Sequence, residues 1–296
     1  MLIKALRNTR TISQQEEQQL KAFIIGLLTL LIVFLGIWKT QKAVGEQGRY
    51  EPVLLLHGFL GGERSYKTLM ERFEENGQGY KAAVCRVNER GVVSCEHKYH
   101  FQQKTDQFPF VQVIFEDDHA SISKQGKWVQ NVVKKLKESE KVEGYHLVGH
   151  SMGGLAAIKY LEETKDKNVK SLTTIGTPVG GLDIDELAIN YPKTESNRMS
   201  EGAKDLQYHS EAITKLQKEA TKLKELRIPI LSVAGNVKHK GGDGSVLTES
   251  AFTLEHYVPN IKKKEFPLLH SALHESSAVD KVLYTFLKDS EKDDRS

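Results

Sequence analysis

The pentapeptide GHSMG at residues 149–153 has the spacing of a strand-to-helix turn that presents a nucleophilic serine. Such a turn holds Ser151 in a strained backbone conformation, and the residues two before and two after it approach neighbouring backbone closely. Glycine at positions 149 and 153 removes that clash. Because a serine hydroxyl is a poor nucleophile at neutral pH, Ser151 needs a histidine as general base and a carboxylate that fixes the histidine tautomer.

The carboxylate is expected on a loop after a late core strand. The run GGDGSV at residues 241–246 forms such a loop shortly after the strand-like residues 228–234, so Asp243 is the predicted acid. Asp183 and Asp205 are weaker candidates, which would serve only if the segment between two core strands supplied the acid. An ordinary turn aspartate between glycines is the structural alternative for Asp243.

The general base is expected near the C-terminus, in the run LLHSALHE at residues 268–275, which leads into the last helix. His270 and His274 both lie there, whereas His256 lies in a separate run upstream. The residues leave the choice between His270 and His274 open, and the histidine that is not the base would support the loop or cap the helix.

The elements around these residues alternate between strands and helices, which predicts an α/β fold with a mostly parallel, doubly wound sheet. The predicted elements are strands at 52–56, 82–87, 110–115, 145–148, 169–175 and 228–234, helices at 65–75, 121–138, 155–161 and 277–287, and a hairpin-like insertion up to residue 109. Residues 179–226 form a second, charged insertion with apolar residues at helical spacing. This insertion is a candidate lid, with a surface helix that covers a sheet edge as the alternative.

The N-terminal part of the chain predicts export. A basic and polar segment, 1–21, precedes the uncharged apolar residues 22–38. A polar linker, 39–51, leads to the α/β domain at 52–288 and to a charged tail, 289–296, that is expected to lack structure. Residues 22–38 are just long enough to cross a bilayer, so an N-terminal membrane anchor is expected, with a cleaved signal peptide as the alternative. Both interpretations place the catalytic domain outside the cytoplasm.

Charge pattern and cysteine spacing argue against nucleic acid, metals and other cofactors as partners. The net charge of +3 over 296 residues is spread along the chain, and no basic cluster with interleaved aromatic residues suggests nucleic-acid binding. Cys85 and Cys95 lack metal-ligand spacing, so neither a metal nor another cofactor is expected. Two unpaired cysteines, with Cys85 packed in the core, are expected in preference to a disulfide bond. The sequence does not specify an oligomeric state.

The motifs HGFLGG, GHSMGG, GTPVGG, GDGSV and HSALHE occur in this order and resemble the α/β-hydrolase superfamily over residues 50 to 288. The apolar N-terminus and the paired histidines look like those of membrane-anchored cell-surface hydrolases of Gram-positive bacteria. This resemblance implies a serine hydrolase with Ser151, Asp243 and His270 as the triad. His270 is favoured over His274 because the catalytic histidine of the superfamily is commonly followed, five residues later, by a glutamate such as Glu275.

The loop HGFLGG at 57–62 looks like the oxyanion loop of lipases and esterases. That likeness implies that the amides of Phe59 and Met152 stabilise the oxyanion, whereas His57 and His150 are expected to be structural or to line the pocket. The resulting hypothesis is an extracytoplasmic esterase or lipase-like enzyme that acts on small acyl esters through an acyl-enzyme. An acyltransferase or peptidase with the same triad, and a surface binding protein without turnover, are the alternatives.

Overall fold

The computed structural model describes residues 15, 18–19, 21–32, 51–98, 107–140, 142–183, 199–239 and 241–293. The chain divides into two compact units, residues 1–48 and 49–296. In the first unit, residues 21–32 are helical with exposed side chains. Residues 33–38 of the predicted anchor lie outside the described part. No helix within the described stretches combines the length and apolar character that a membrane span requires, so the structure gives the anchor no support.

The second unit is built on a mostly parallel sheet, which in the described residues has eight strands in the order β3-β2-β4-β1-β5-β6-β7-β8. Among these described strands, β2 and β3 are the one antiparallel pair, and the other six pairs are parallel. The predicted sheet is thereby confirmed. The strands are β1 Val53–Leu56, β2 Gly79–Val87, β3 Val93–His97, β4 Phe108–Phe115, β5 Tyr145–His150, β6 Val169–Ile175, β7 Ile230–Gly235 and β8 Lys262–Phe266.

Helices cover both faces of the sheet and bury two separate apolar cores. One core packs α2 and α3 against the sheet together with the insertion, and the other packs α1 and α8 against the opposite face. The described helices are α1 Lys67–Glu75, α2 Ile122–Glu140, α3 Met152–Thr164, α4 Glu201–Leu206, α5 Glu211–Glu219, α6 Thr248–Phe252, α7 His270–Leu273 and α8 Ser277–Asp293. Short 3₁₀ segments at Ala220–Leu226 and Thr253–His256 accompany them.

Two features at the edge and the end of the domain differ from the sequence prediction. Strand β8 was not predicted, because its residues KKKEF are charged and largely exposed at the sheet edge, where apolar patterning is not required. The last helix, α8, continues to Asp293, so the expectation that the tail 289–296 lacks structure is wrong for residues 289–293. Residues 294–296 lie outside the described part.

Cys85 and Cys95 form a disulfide bond, which corrects the expectation of two unpaired cysteines. Antiparallel pairing of β2 and β3 places the two residues directly opposite each other, with their Cα atoms 4.0 Å apart. The sequence does not reveal this bond, because two cysteines 10 residues apart face each other only in one register of the hairpin.

The predicted helical character of the second insertion is confirmed where the structure describes it. Residues 184–198 lie outside the described part, and α4, α5 and the 3₁₀ segment follow. Side chains of Ser200 and Ser210 cap α4 and α5 by accepting hydrogen bonds from the amides of Ala203 and Ile213. The apolar stripe faces the core, since all of its members are buried: Leu206, Ile213, Leu216, Ala220 and Leu223.

Candidate functional site

Ser151 lies at the turn between β5 and α3, as the pentapeptide predicts. Its backbone adopts φ 52° and ψ −126°, a conformation that is costly for a residue with a side chain. The amide of Ser151 donates to the Ile175 carbonyl over 2.8 Å, which ties the turn to the end of β6. The side chain is buried, with 5% of its surface exposed. The sheet and the helix therefore hold Ser151 at the C-terminal edge of the strands.

The glycines at 149 and 153 are required by close approach of the backbone. A Cβ atom on Gly149 would lie 2.4 Å from the amide nitrogen of Gly154, and one on Gly153 would lie 2.3 Å from the carbonyl oxygen of Leu56. Neither contact is compatible with a side chain. The packing of α3 against β1 and β5 therefore requires glycine at both positions, as the pentapeptide predicts.

The loop after β1 passes directly over Ser151. A Cβ on Gly58 would be 2.7 Å from the Cβ of Ser151, so only glycine allows the loop to approach this closely. Within the loop, the amides of Leu60 and Gly61 donate to the carbonyls of Asp118 and Gly58. The loop thereby brings the backbone of Phe59 close to the serine turn.

His57 anchors this loop and has the structural role expected for it. Its Nε2 accepts a hydrogen bond from the Phe115 amide over 3.0 Å, so the proton must be on Nδ1, which donates to the Gly58 carbonyl over 2.8 Å. Burial lowers the pKa of His57 below its usual value, with partial opposition from these hydrogen bonds. A neutral His57 therefore connects the loop to β4.

Asp243 and His270 are in direct contact. The Nδ1 of His270 lies 2.8 Å from Oδ2 of Asp243, and the His270 amide also donates to the Asp243 carbonyl. The other carboxyl oxygen, Oδ1, accepts from the amides of Ser245 and Val246 over 2.9 and 2.7 Å. Both side chains are buried, at 1% and 5% exposed. Four hydrogen bonds thus fix the orientation of the carboxyl group and the imidazole.

His274 has different neighbours. Its Nδ1 lies 2.6 Å from Oε1 of Glu275, although this contact lacks hydrogen-bond geometry. Its ring packs edge-on against His150, with centroids 4.2 Å apart, and against the Tyr66 ring at 5.2 Å. The structure therefore pairs Asp243 with His270, and it places His274 beside the pair.

His150 packs against both C-terminal histidines. Its Nε2 lies 3.1 Å from the His270 carbonyl and must carry the proton, because a carbonyl only accepts. Burial, together with the nearby His274 and His270, lowers the pKa of His150 well below its usual value. The sequence indicated that His150 is structural or lines the pocket; its hydrogen bond to the main chain of His270 could not be inferred without the fold.

A cavity of about 120 Å³ lies at this position, and its walls include Ser151, His270, His274, Phe59 and Leu206. Leu206 comes from α4, so the insertion contributes to the wall as a lid would. The sequence placed Leu206 on a buried stripe but did not connect it with the site. Asp205, a weaker candidate for the acid, instead accepts a hydrogen bond from the amide of Ile122 at the start of α2.

The chain matches, over residues 40–290, the family described as alpha/beta hydrolase of unknown function (DUF915). The chain belongs to that family. Its eight-stranded, mostly parallel sheet with flanking helices is the α/β-hydrolase fold. The superfamily resemblance of the motifs is thereby confirmed.

Known relatives of this α/β hydrolase match parts of it. A proline iminopeptidase of Lactobacillus acidophilus is 24% identical over 144 residues, which cover 49% of this chain and 42% of the relative. Lipase 1 of Staphylococcus aureus is 27% identical over 200 residues, covering 51% of this chain and 27% of the lipase. The chain thus spans less than half the length of these two relatives.

Among solved structures, the lin2722 gene product of Listeria innocua superposes with a TM-score of 0.62 and 23% identity. The match covers 81% of this chain and 94% of the Listeria chain. At this identity the similarity establishes a shared fold.

Proposed function

We propose that this α/β hydrolase is a serine esterase that acts on carboxylic esters through an acyl-enzyme. In the proposed reaction, Oγ of Ser151 attacks the acyl carbon while Nε2 of His270 takes its proton, and the alcohol leaves with that proton. Water then attacks the acyl-enzyme by the same route and releases the acid. Asp243 holds His270 in the tautomer that leaves Nε2 free to accept the proton.

The observation that carries this proposal is the hydrogen bond of 2.8 Å between His270 and Asp243 beside the cavity that Ser151 lines. A carboxyl group on Nδ1 of a buried histidine is the arrangement that serine hydrolases need, because it directs the other ring nitrogen toward the nucleophile. The same contact favours His270 over His274 as the base.

The proposed oxyanion site is formed by the amides of Phe59 and Met152. Met152 opens α3, so its amide is among those at a helix start that have no acceptor within the helix. Phe59 lies in the loop that Gly58 brings against Ser151. Each such donor contributes about 3 kcal/mol to the stability of the tetrahedral intermediate.

The size of the cavity supports a small acyl group. Its volume of about 120 Å³ is well below the roughly 300–1,000 Å³ of pockets that enclose drug-sized ligands. A longer chain would require α4 to move, since Leu206 forms part of the wall.

The proposal also places the domain outside the cytoplasm. Disulfide bonds persist in oxidising compartments and are rare in the cytosol, and Cys85 and Cys95 form one. This observation agrees with the export predicted from residues 22–38, which stays a prediction from the sequence, whether as an anchor or as a cleaved signal.

Peptide hydrolysis is the second candidate, because one relative is a proline iminopeptidase. The full chain should be assayed on p-nitrophenyl butyrate and on the matched butyryl p-nitroanilide. The proposal predicts that the ester is the better substrate and that Ser151→Ala lowers kcat by a factor on the order of 10⁴ or more. Faster turnover of the anilide would favour the peptidase, and full ester turnover by Ser151→Ala would exclude the proposed nucleophile.

A further inference from the structure

A second and larger hollow adjoins the cavity at Ser151. It has a volume of about 750 Å³ and lies along the outer side of the oxyanion loop. Leu60, Gly61 and Ser65 form walls of both hollows. The two hollows are therefore neighbours on either side of a shared wall, and we call the larger one the loop groove.

Three cations of the loop groove lack an acidic partner. Within the described residues, no carboxylate lies at ion-pair distance from the side chains of Arg64, Lys81 or Lys98. Lys81 is half-buried, and its Nζ donates to a neutral acceptor, Oε1 of Gln112, over 2.7 Å. Burial, followed by the nearby charge of Lys98, lowers the pKa of Lys81. The ammonium group of Lys81 is thus held in place by a neutral acceptor, and the carboxylates of Glu63 and Glu96 act on it only from beyond ion-pair distance.

Most of the acidic residues of the loop groove are already paired. Glu63 binds Arg86 over 3.2 Å, and Glu71 lies 3.8 Å from Lys67 on the same helix. Glu74, in the last turn of α1, is the remaining acid. The side chains of the loop groove that are not in ion pairs therefore present a net positive charge to a ligand.

The cation is also rigidly linked to the oxyanion loop. Gln112 is buried in β4, and its Nε2 donates to the carbonyls of Glu63 and Ser65 over 2.8 and 2.9 Å. One glutamine thus fixes both the Lys81 ammonium and the turn that follows the oxyanion loop. A group bound by Lys81 would have a defined position relative to the reacting carbon at Ser151.

We propose that the loop groove is a subsite for an anionic group of the substrate, such as a phosphate on the alcohol part of the ester, with Lys81 and Lys98 as its ligands. This inference rests on the proposed esterase function for its catalytic consequence. A phosphate replaces the missing carboxylate partner and accepts charge-assisted hydrogen bonds from both ammonium groups, which are among the strongest in proteins. The subsite would select esters of anionic alcohols over neutral ones.

The kinetic test compares two esters that differ in one charged group, butyryl glycerol and butyryl glycerol 3-phosphate. Lys81→Gln removes the charge and keeps a hydrogen-bond donor for Gln112, and the expected result is a roughly tenfold lower kcat/KM for the phosphate ester alone. Lys98→Gln should act in the same direction. The control is Lys134→Gln on α2. Lys134 is exposed and does not line the loop groove, so this variant should leave kcat/KM for both esters unchanged. Equal losses on both esters, or none, would overturn the subsite.

A binding test separates this inference from the proposed esterase function. Inorganic phosphate should raise the Tm of the full chain more than KCl of equal ionic strength does, and this difference should disappear in Lys81→Gln. This result supports the subsite even if no ester is hydrolysed. No phosphate effect on wild type would reject the subsite even if the enzyme is an active esterase. Turnover of long-chain phosphatidic acid in vesicles and of the short phosphate ester is then compared in wild type and Lys81→Gln. The substrate whose turnover falls in Lys81→Gln identifies the bound group as part of a lipid or of a soluble ester.

Discussion

At the scale of single residues, the environments of two histidines four positions apart determine their proposed roles. His270 donates to Asp243, whose other oxygen is fixed by two amides, whereas His274 packs between His150 and Tyr66. The residue types are identical, so the difference lies in what each ring touches. Asp243 meets Nδ1 of His270 in hydrogen-bond geometry, whereas the Glu275 carboxyl group beside Nδ1 of His274 does not. Of the two rings, His270 is therefore the one held in the tautomer that catalysis needs.

We expect His270→Ala to lower kcat for p-nitrophenyl butyrate by a factor on the order of 10⁴. His274→Ala is the matched control and should lower kcat less than tenfold, because it removes packing beside the site. Thermal unfolding of both variants checks that the fold is intact. Loss of turnover in His274→Ala alone would assign the base to His274.

A second prediction concerns the approach of the loop at residues 57–62, the proposed oxyanion loop, to Ser151. In Gly58→Ala the new methyl group would lie 2.7 Å from the serine Cβ, which forces the loop or the serine to move. A displacement of about 1 Å costs on the order of 10²-fold in rate, so kcat should fall by about that factor. Gly62→Ala in the same loop is the control, because no atom lies within 4 Å of the added Cβ. Similar kcat values for the two variants would show that the loop does not form the oxyanion site.

At the scale of elements, α3 carries the nucleophile turn at one end and a buried charge cluster near the other. Lys159 and Glu162 lie on α3, and Lys159 Nζ reaches Glu219 of α5 over 3.3 Å. The side chain of Glu162 has no exposed surface, and both of its carboxyl oxygens lack a hydrogen-bond partner among the described residues. This cluster joins α3, which begins directly after Ser151, to the insertion, which contributes Leu206 to the cavity wall.

Glu162 should make the stability of the domain depend on pH. Burial raises the pKa of its carboxyl group from 4.5 to about 8, and the Lys159 ammonium partly offsets that shift. Between these values the folded state binds more protons than the unfolded state, so the free energy of unfolding falls as pH rises, by roughly 1 kcal/mol per pH unit. Above a pH of about 8 the contribution of Glu162 stays constant.

The variant Glu162→Gln should remove this slope and be more stable than wild type at pH 8. Urea unfolding measured at several pH values checks both statements. Glu163→Gln is the control, because Glu163 lies beside Glu162 and near Lys159 but has a 40% exposed side chain, and it should keep the slope. Identical pH profiles for Glu162→Gln and wild type would contradict a buried, protonated carboxyl group.

At the scale of the whole molecule, a covalent bond joins the two strands of the hairpin at one edge of the sheet. The disulfide bond between Cys85 and Cys95 closes a short loop, and such a loop contributes ~2.5 kcal/mol in the chain-entropy model. Reduction with dithiothreitol should therefore lower Tm by roughly 5 to 10 °C for a domain of this size. The double variant Cys85→Ala/Cys95→Ala should start at the lower Tm and be insensitive to dithiothreitol. An unchanged Tm on reduction of wild type would contradict a stabilising bond.

The sequence predicted the buried parts of this fold well and its edges poorly. Val169–Ile175 was predicted with its observed bounds, because four of its seven residues are β-branched and only Lys170 is charged, which is typical of a strand buried in a sheet. Strand β8 is paired on one side and charged, and the disulfide depends on hairpin register, so neither leaves an apolar pattern. For the site, glycine spacing indicated Ser151 and chain order indicated Asp243. The contact of Asp243 with His270, the placing of Ser151 in the same cavity wall, and the cations of the loop groove come from elements far apart in sequence.

Covalent labelling of the full chain with a fluorophosphonate shows whether Ser151 is an activated nucleophile. We expect one adduct per chain, located by peptide mass spectrometry on Ser151 and formed in parallel with loss of ester hydrolysis. Ser151→Ala should remain unlabelled, and His270→Ala should label far more slowly than wild type. Absence of an adduct on wild type, or equal labelling of Ser151→Ala, would show that Ser151 is not the nucleophile.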